Sequence, residues 1–162
     1  MWSDWQWMSV AEAEGLGSQQ RDWLLDQGSL TRRLKRHSKH FRVKLQSLTQ
    51  IELNARQQAW LSLPALVSER TVLLEADDKT CIYARSLFVS QQGFTSLGEQ
   101  PLGERLFADD GWTRGDILLA QVEGSALGLA AQTLWARCSD FRAPGQSPVW
   151  VMEVFLPAVF DL

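Results

Sequence analysis

The run PVWVMEVFLP, from Pro148 to Pro157, constrains the fold of this chain more than any other stretch. An apolar run of this length bounded by prolines reads as a strand, and successive strand side chains point to opposite faces. One face carries Val149, Val151, Glu153 and Phe155; the other carries Trp150, Met152, Val154 and Leu156. Both faces are apolar, so the strand needs cover on both sides. Glu153 then lies in the interior, where an unpaired carboxylate costs several kcal/mol or takes up a proton. It needs a compensating partner.

The remaining segments set the fold class. Ser18 is placed to cap a first helix with Trp23, Leu24 and Leu25 on its apolar side and Gly28 as its stop. Ser29 is placed to cap a second, SLTRRLKRH, with Leu30 and Leu34 one turn apart. FRVKLQSL then alternates apolar and polar residues as a half-exposed strand does. Thr49 to Ser68 is polar and weakly patterned. The clearest hairpin is RTVLLEADDKTCIYARSLFV, two β-rich runs around Asp77 and Asp78. Pro101 marks the start of a short helix, and strand-like runs follow at 116–122 and 134–141. About six strands, mostly hairpin-connected, with helices gathered on one face, make an α+β fold built on one antiparallel sheet.

Composition narrows the function classes. A chain of 162 residues with 45% hydrophobic and 22% charged residues is expected to form one soluble domain around a real core. Its net charge of −3 gives no global electrostatic case for nucleic acid. Cys81 and Cys138 fall in strand-like runs without metal-ligand spacing and read as buried free thiols in a reducing compartment. The start, MWSDWQWMSV, has neither a basic n-region nor an apolar h-region. No apolar stretch approaches the ~20 residues of a membrane span. A cytoplasmic monomer is expected, with a Trp-rich arm over 1–17 and a single domain over 18–162.

Two further constellations accompany Glu153. If Asp77 and Asp78 form the hairpin turn, Arg70 falls opposite Arg85, and two opposed guanidiniums on one face invite an anion. Internal partners such as Glu69, Glu75 or Glu153 are the alternative. Pro101, Leu102 and Gly103 open a helix whose first N–H groups have no intrahelical partner. The basic run Arg32 to Lys44 holds seven of the sixteen Lys and Arg residues. It reads either as a solvated face or as a patch for nucleic acid, for a membrane surface or for steering an anionic substrate. His37 and His40 lie in it without nearby carboxylates, so no metal site is expected there.

Read in order, DWLLDQGSLTRRL, ERTVLLEADDKTCIYARSLFV, LGEQPLGERLF, WTRGDI, LWARCSDFR and EVFLPA resemble the chorismate lyase family, which makes 4-hydroxybenzoate for ubiquinone biosynthesis. The resemblance runs from about Asp22 to Ala158 and is weak over the Trp-rich start and residues 46–66. It implies a carbon–oxygen lyase that eliminates pyruvate from chorismate, with no metal and no organic cofactor, and a ligand buried inside the sheet and helices. Position by position it puts the ligand arginine on Arg70, a backbone contact on Leu102 and the buried glutamate on Glu153. A second backbone contact falls on Leu30, where the family usually has methionine. Arg85 would neutralise the enolpyruvyl carboxylate, an assignment from the hairpin register rather than from the family. The competing class is a non-enzymatic effector-binding domain of similar fold, which would bind chorismate-like anions without releasing pyruvate.

Overall fold

The computed structural model describes residues 1–108 and 111–162. Among them are an eight-stranded sheet and four α-helices. The strand read first in the sequence, β8 (Val149–Phe155), lies in the middle of the sheet. It pairs with β7 (Thr133–Arg142) on one side and β4 (Lys79–Phe88) on the other. Beyond β4 come β3 (Leu66–Ala76) and β2 (Phe41–Glu52); beyond β7 come β6 (Leu118–Glu123) and β1 (Met8–Ser9). The two-residue β5 (Thr113–Arg114) also pairs with β7, and every pairing is antiparallel. The expected α+β class holds, with more strands than the six read from pattern. β1 and β5 span two residues each, too short for alternation to register.

Local chemistry sets the helices. α1 (Ser18–Leu24) begins one residue earlier than read, with Gly17 as its cap, because the Gln20 side chain reaches back to accept from the Gly17 N–H at 2.9 Å. It ends at Leu24, four residues short of Gly28. α2 (Leu30–Arg36) is capped as expected by Ser29, whose Oγ accepts from the Arg32 N–H at 3.2 Å. α3 (Ala55–Leu61) lies in the segment read as unpatterned. Asn54 and Gln57 cap it reciprocally, and Leu61 is its only buried residue, so its apolar stripe is too thin to show. α4 (Leu102–Ala108) follows Pro101 and buries Leu102 and Leu106.

The helices cover both faces of the sheet, not one. On the first face Trp23, Leu24, Leu30 and Leu34 of α1 and α2 pack on Val43, Val72, Leu74 and Ala84. α4 packs beside them against Phe88, Phe141 and Val149. On the second face Leu61 of α3 and Trp2 of the Trp-rich segment pack on Tyr83, Leu87, Trp150, Met152 and Val154. That segment also joins the sheet through β1, with Met8 opposite Leu119.

Two bulges bend the hairpin arm of the sheet. Gln46 is the extra residue in β2, and Cys81 is the extra residue in β4. The turn itself is as read: Ala76 faces Lys79, and Asp77 and Asp78 adopt φ of 49° and 63°. Asp77 is held there by accepting the N–H groups of Lys39 and His40, both at 2.9 Å.

Candidate active site

The Cys81 bulge decides which hairpin side chains share a face. Past it the register slips by one residue, so Arg70 faces Ser86 and Arg85 faces Thr71. The expected pairing of Arg70 with Arg85 does not form, because a slip of one residue sends a side chain to the opposite face. Arg85 lies on the second face, where its Nε donates to the Tyr83 hydroxyl at 2.7 Å and Nη1 lies 3.8 Å from Glu69. It does not line the cavity described next.

That cavity, of about 520 Å³, lies between the first face and the helices α2 and α4. β3, β4 and β8 supply Arg70, Val72, Ser86, Val151 and Glu153 as its floor, while Leu30, Thr31, Leu102 and Gly103 come from the helices. Four of the residues singled out from sequence thus meet in one place: Leu30, Arg70, Leu102 and Glu153.

Arg70 is 2% exposed. Its Nη2 donates to the carbonyls of Gly98 at 2.9 Å and Gln100 at 2.7 Å, which ties down the turn leading into α4. Its Nε has no hydrogen-bond partner, and no carboxylate pairs with it among the described residues. Burial pushes this guanidinium below its ordinary value. A buried cation with an unused donor is costly unless an anion joins it.

Glu153 does have its partner. Arg137, directly opposite on β7, donates from Nε to Glu153 Oε2 at 2.5 Å. The same guanidinium donates from Nη1 to the carbonyls of Leu24 at 3.0 Å and Asp26 at 2.9 Å, anchoring it to the end of α1. Sequence reading missed Arg137, though a signal was present. It interrupts the apolar run LWARC as Glu153 interrupts its own, and counting back from the turn at Pro144 and Gly145 sets the two opposite each other.

Arg114, on β5, is the second residue that reading missed. It lines the cavity at the far side from Arg70, stacked 5.0 Å from the Phe141 ring and 5.7 Å from Phe107. Burial, and next the charge of Arg137, pull it down to about 10, so it stays a cation at neutral pH. Around the cavity stand three guanidiniums, Arg70, Arg114 and Arg137, against one carboxylate, Glu153. Among the described residues the lining itself holds two guanidiniums, Arg70 and Arg114, that no carboxylate pairs with, while Glu153 is met by Arg137 behind it.

The sequence comparisons decide the family. The family model for chorismate lyase matches residues 1–162. The chain belongs to the chorismate lyase family. Proteins named "Probable chorismate pyruvate-lyase" are 34% identical in Shewanella frigidimarina, over 96% of this chain and 90% of that one. The one from Pseudoalteromonas translucida is also 34% identical, over 98% of this chain and 94% of that one. A third, from Dechloromonas aromatica, is 36% identical over 86% and 87%.

Among solved structures, the effector domain of PhnF from Mycobacterium smegmatis superposes with a TM-score of 0.63 at 13% identity, covering 83% of this chain and 91% of that one. The C-terminal domain of the histidine utilization repressor from Pseudomonas syringae gives 0.58 at 9% identity, covering 74% and 93%. At such identities the likeness is one of fold. This chain thus shares its sheet architecture with those domains, and fold alone does not fix function.

The basic run divides. Arg33 pairs with Asp22 at 2.5 Å and with Asp26, Arg42 pairs with Glu75 at 2.6 Å, and Lys35 pairs with Glu104 across α2 and α4. Arg32, Arg36, Lys39 and Lys44 are exposed. Among the described residues no three His, Cys, Asp or Glu side chains cluster as metal ligands would, and no helix is long and apolar enough to cross a membrane.

Proposed function

We propose that this protein is a chorismate pyruvate-lyase, eliminating pyruvate from chorismate to leave 4-hydroxybenzoate. One observation carries the reading: buried Arg70, with a donor to spare and no carboxylate, faces the same cavity as Glu153, whose charge is already met by Arg137. A cavity lined by two guanidiniums, Arg70 and Arg114, without carboxylate partners among the described residues suits a dianion, and chorismate is a dicarboxylate. Membership of the family and the names of its relatives support the same substrate.

Arg70 and Glu153 sit two strands and two residues apart, roughly 12 Å between Cα atoms by strand geometry. Side chains leaning inward from both ends leave room for one substituted six-membered ring. In this pose Arg70, with the Leu102 N–H, grips the ring carboxylate that survives in the product. Glu153 accepts from the ring hydroxyl that becomes the phenol, and the Leu30 backbone closes the same end. In the reaction the ether bond between ring and enolpyruvyl group breaks, with its electron pair going to the enolpyruvyl oxygen. The hydrogen on the hydroxyl-bearing ring carbon leaves as a proton, and the methylene of the departing group gains one to become the methyl of pyruvate. One dianion becomes two monoanions. The two proton movements occur either in a single cyclic transfer or in steps assisted by Glu153. Aromatisation supplies driving force, so the protein's part is to hold one conformer and stabilise charge.

This activity would supply 4-hydroxybenzoate to ubiquinone biosynthesis, from a cytoplasmic monomer needing no metal or organic cofactor. The deciding experiment adds chorismate to purified protein and follows pyruvate and 4-hydroxybenzoate. Stoichiometric appearance of both is expected. Binding without release of pyruvate would instead make the chain an effector-binding domain.

A further inference from the structure

With Arg85 on the opposite face of the sheet, the enolpyruvyl carboxylate is left without a partner among the residues singled out from sequence. We propose that Arg114 is the residue that holds the enolpyruvyl carboxylate of chorismate, an inference that rests on the lyase reading above. Three arginines stand at or behind the cavity, and each has one buried nitrogen without a partner among the described residues, so position decides between them. Arg70 is tied to Gly98 and Gln100 at the end assigned to the ring carboxylate. Arg137 gives its Nε to Glu153 and its Nη1 to two carbonyls; its Nη2 has no partner among the described residues, but the residue does not reach the cavity lining.

Arg114 does reach it. One bond is recorded for its guanidinium, from Nη1 to the Asp26 carbonyl at 3.2 Å, and its Nε has no partner among the described residues. The Phe107 and Phe141 rings fix the plane of the fork while leaving its donors uncovered, an arrangement suited to a carboxylate.

Its position fits the substrate as well. The enolpyruvyl ether is attached to the ring carbon next to the one bearing the hydroxyl, so its carboxylate projects sideways from the Glu153 end. The charges of Glu153, Arg137 and Arg114 interact there, and Arg114 and Arg137 both donate to the Asp26 carbonyl. Arg114 also borders a second, open cleft of about 820 Å³ beside Gly115 and Asp116, so the leaving group is held at the edge nearest solvent. A positive charge at this point stabilises the negative charge that the departing enolpyruvyl oxygen receives.

The backbone around Arg114 is fixed by its neighbour. A Cβ on Gly115 would stand 2.0 Å from Asp140 Oδ1, and the Gly115 N–H donates to the Asp140 carbonyl at 2.8 Å. A side chain at 115 would have to displace the Asp140 carboxylate where β5 meets β7, beside Arg114.

The test exploits the difference between substrate and product, since 4-hydroxybenzoate has lost the second carboxylate. Arg114→Gln should lower kcat/KM for chorismate roughly ten- to a hundredfold, the loss of a charge-assisted contact, while the Kd for 4-hydroxybenzoate moves less than about twofold. Arg114→Lys, which keeps the charge without the fork, should recover part of the loss, and Arg85→Gln should change neither quantity. Retained 4-hydroxybenzoate binding and an unchanged melting curve show that the variants fold; if the glutamine variant does not, the lysine variant is read alone, with a few-fold loss for chorismate only. Wild-type turnover with an Arg114→Gln that matches it, or that loses substrate and product affinity equally, overturns the Arg114 assignment and leaves the lyase reading standing. No turnover by the wild type overturns both.

Discussion

The two faces of the sheet are built from the same strands and do opposite things. Met152 and Glu153 are neighbours on β8, 0% and 8% exposed, yet they belong to different environments. Met152 packs on the second face with Leu87, Trp150 and Leu61, where a buried bond joins the Trp150 Nε1–H to the Leu61 carbonyl at 2.8 Å. Trp150 is stacked 4.9 Å from Trp60 and lies 6.4 Å from Trp2. Glu153 looks onto the first face, where three guanidiniums and one carboxylate surround a cavity and two of the guanidiniums have an Nε without a partner. The alternation of a strand lets one element separate a mostly apolar wall that stabilises the fold from the charged wall around the cavity. The second face holds the first face's mismatch in place.

Substitutions on each face should therefore fail in different ways. Glu153→Gln keeps the shape and one acceptor but loses the charge and leaves Arg137 unpaired. We expect kcat to fall by roughly 10²–10⁴, as for loss of a proton-transfer group. A loss under about tenfold would reduce Glu153 to orienting the ring oxygen. The folded fraction must be checked by melting, because breaking a buried ion pair costs about 3–5 kcal/mol. Trp150→Ala, on the other face, is expected to cost about 3–5 kcal/mol in denaturant unfolding while kcat stays near wild type below the new midpoint. A kcat that collapsed in protein shown to be folded would mean the faces are not independent.

Arg70→Ala removes a grip made on substrate and transition state alike, so KM should rise, by about ten- to a hundredfold, with a smaller change in kcat. Equal losses in kcat and kcat/KM, with KM unmoved, would contradict that reading. A few-fold effect is expected from neutralising Arg36 and Lys39 together, both exposed in the basic run. It should appear in kcat/KM at low salt and vanish near 0.5 M salt, where screening is nearly complete. The smallest effect concerns the thiols. Burial pushes both Cys81 and Cys138 above the ordinary thiol range, so neither should react with a disulfide reagent at pH 8 until the protein is unfolded. Rapid modification of the folded protein would expose an opening on one of the two faces.

Much of this arrangement could be read from the residues, and the gaps have physical causes. β8, the hairpin turn and the Ser29 cap follow from local patterns of a few residues, and such patterns survive folding. The Cys81 bulge does not. Nothing in DDKTCIYAR distinguishes a bulged strand from a regular one, so the register was carried one residue too far and Arg85 was set beside Arg70. Arg137 was visible only to an argument across two strands. Arg114 sits in a two-residue strand after a stretch without periodicity, where no pattern can speak for it. α3 hid because a helix that buries one leucine has almost no stripe. The sequence resemblance found Arg70, Leu102 and Glu153 because it draws on order along the chain, while the charges that complete the cavity come from strand pairings distant in sequence.

Arg70 has one more implication. Its Nη2 pins the carbonyls of Gly98 and Gln100, so the side chain that would grip a carboxylate also fastens the turn ahead of α4, one of the walls of the chamber. Holding and shutting are then one mechanical act. A chemist seeking faster discharge of product could not simply weaken the grip, since the same change would slacken the wall that keeps water out. The handle for such engineering lies instead at the hem of that wall, where Lys35 of α2 clasps Glu104 of α4 in the open, outside the cavity lining.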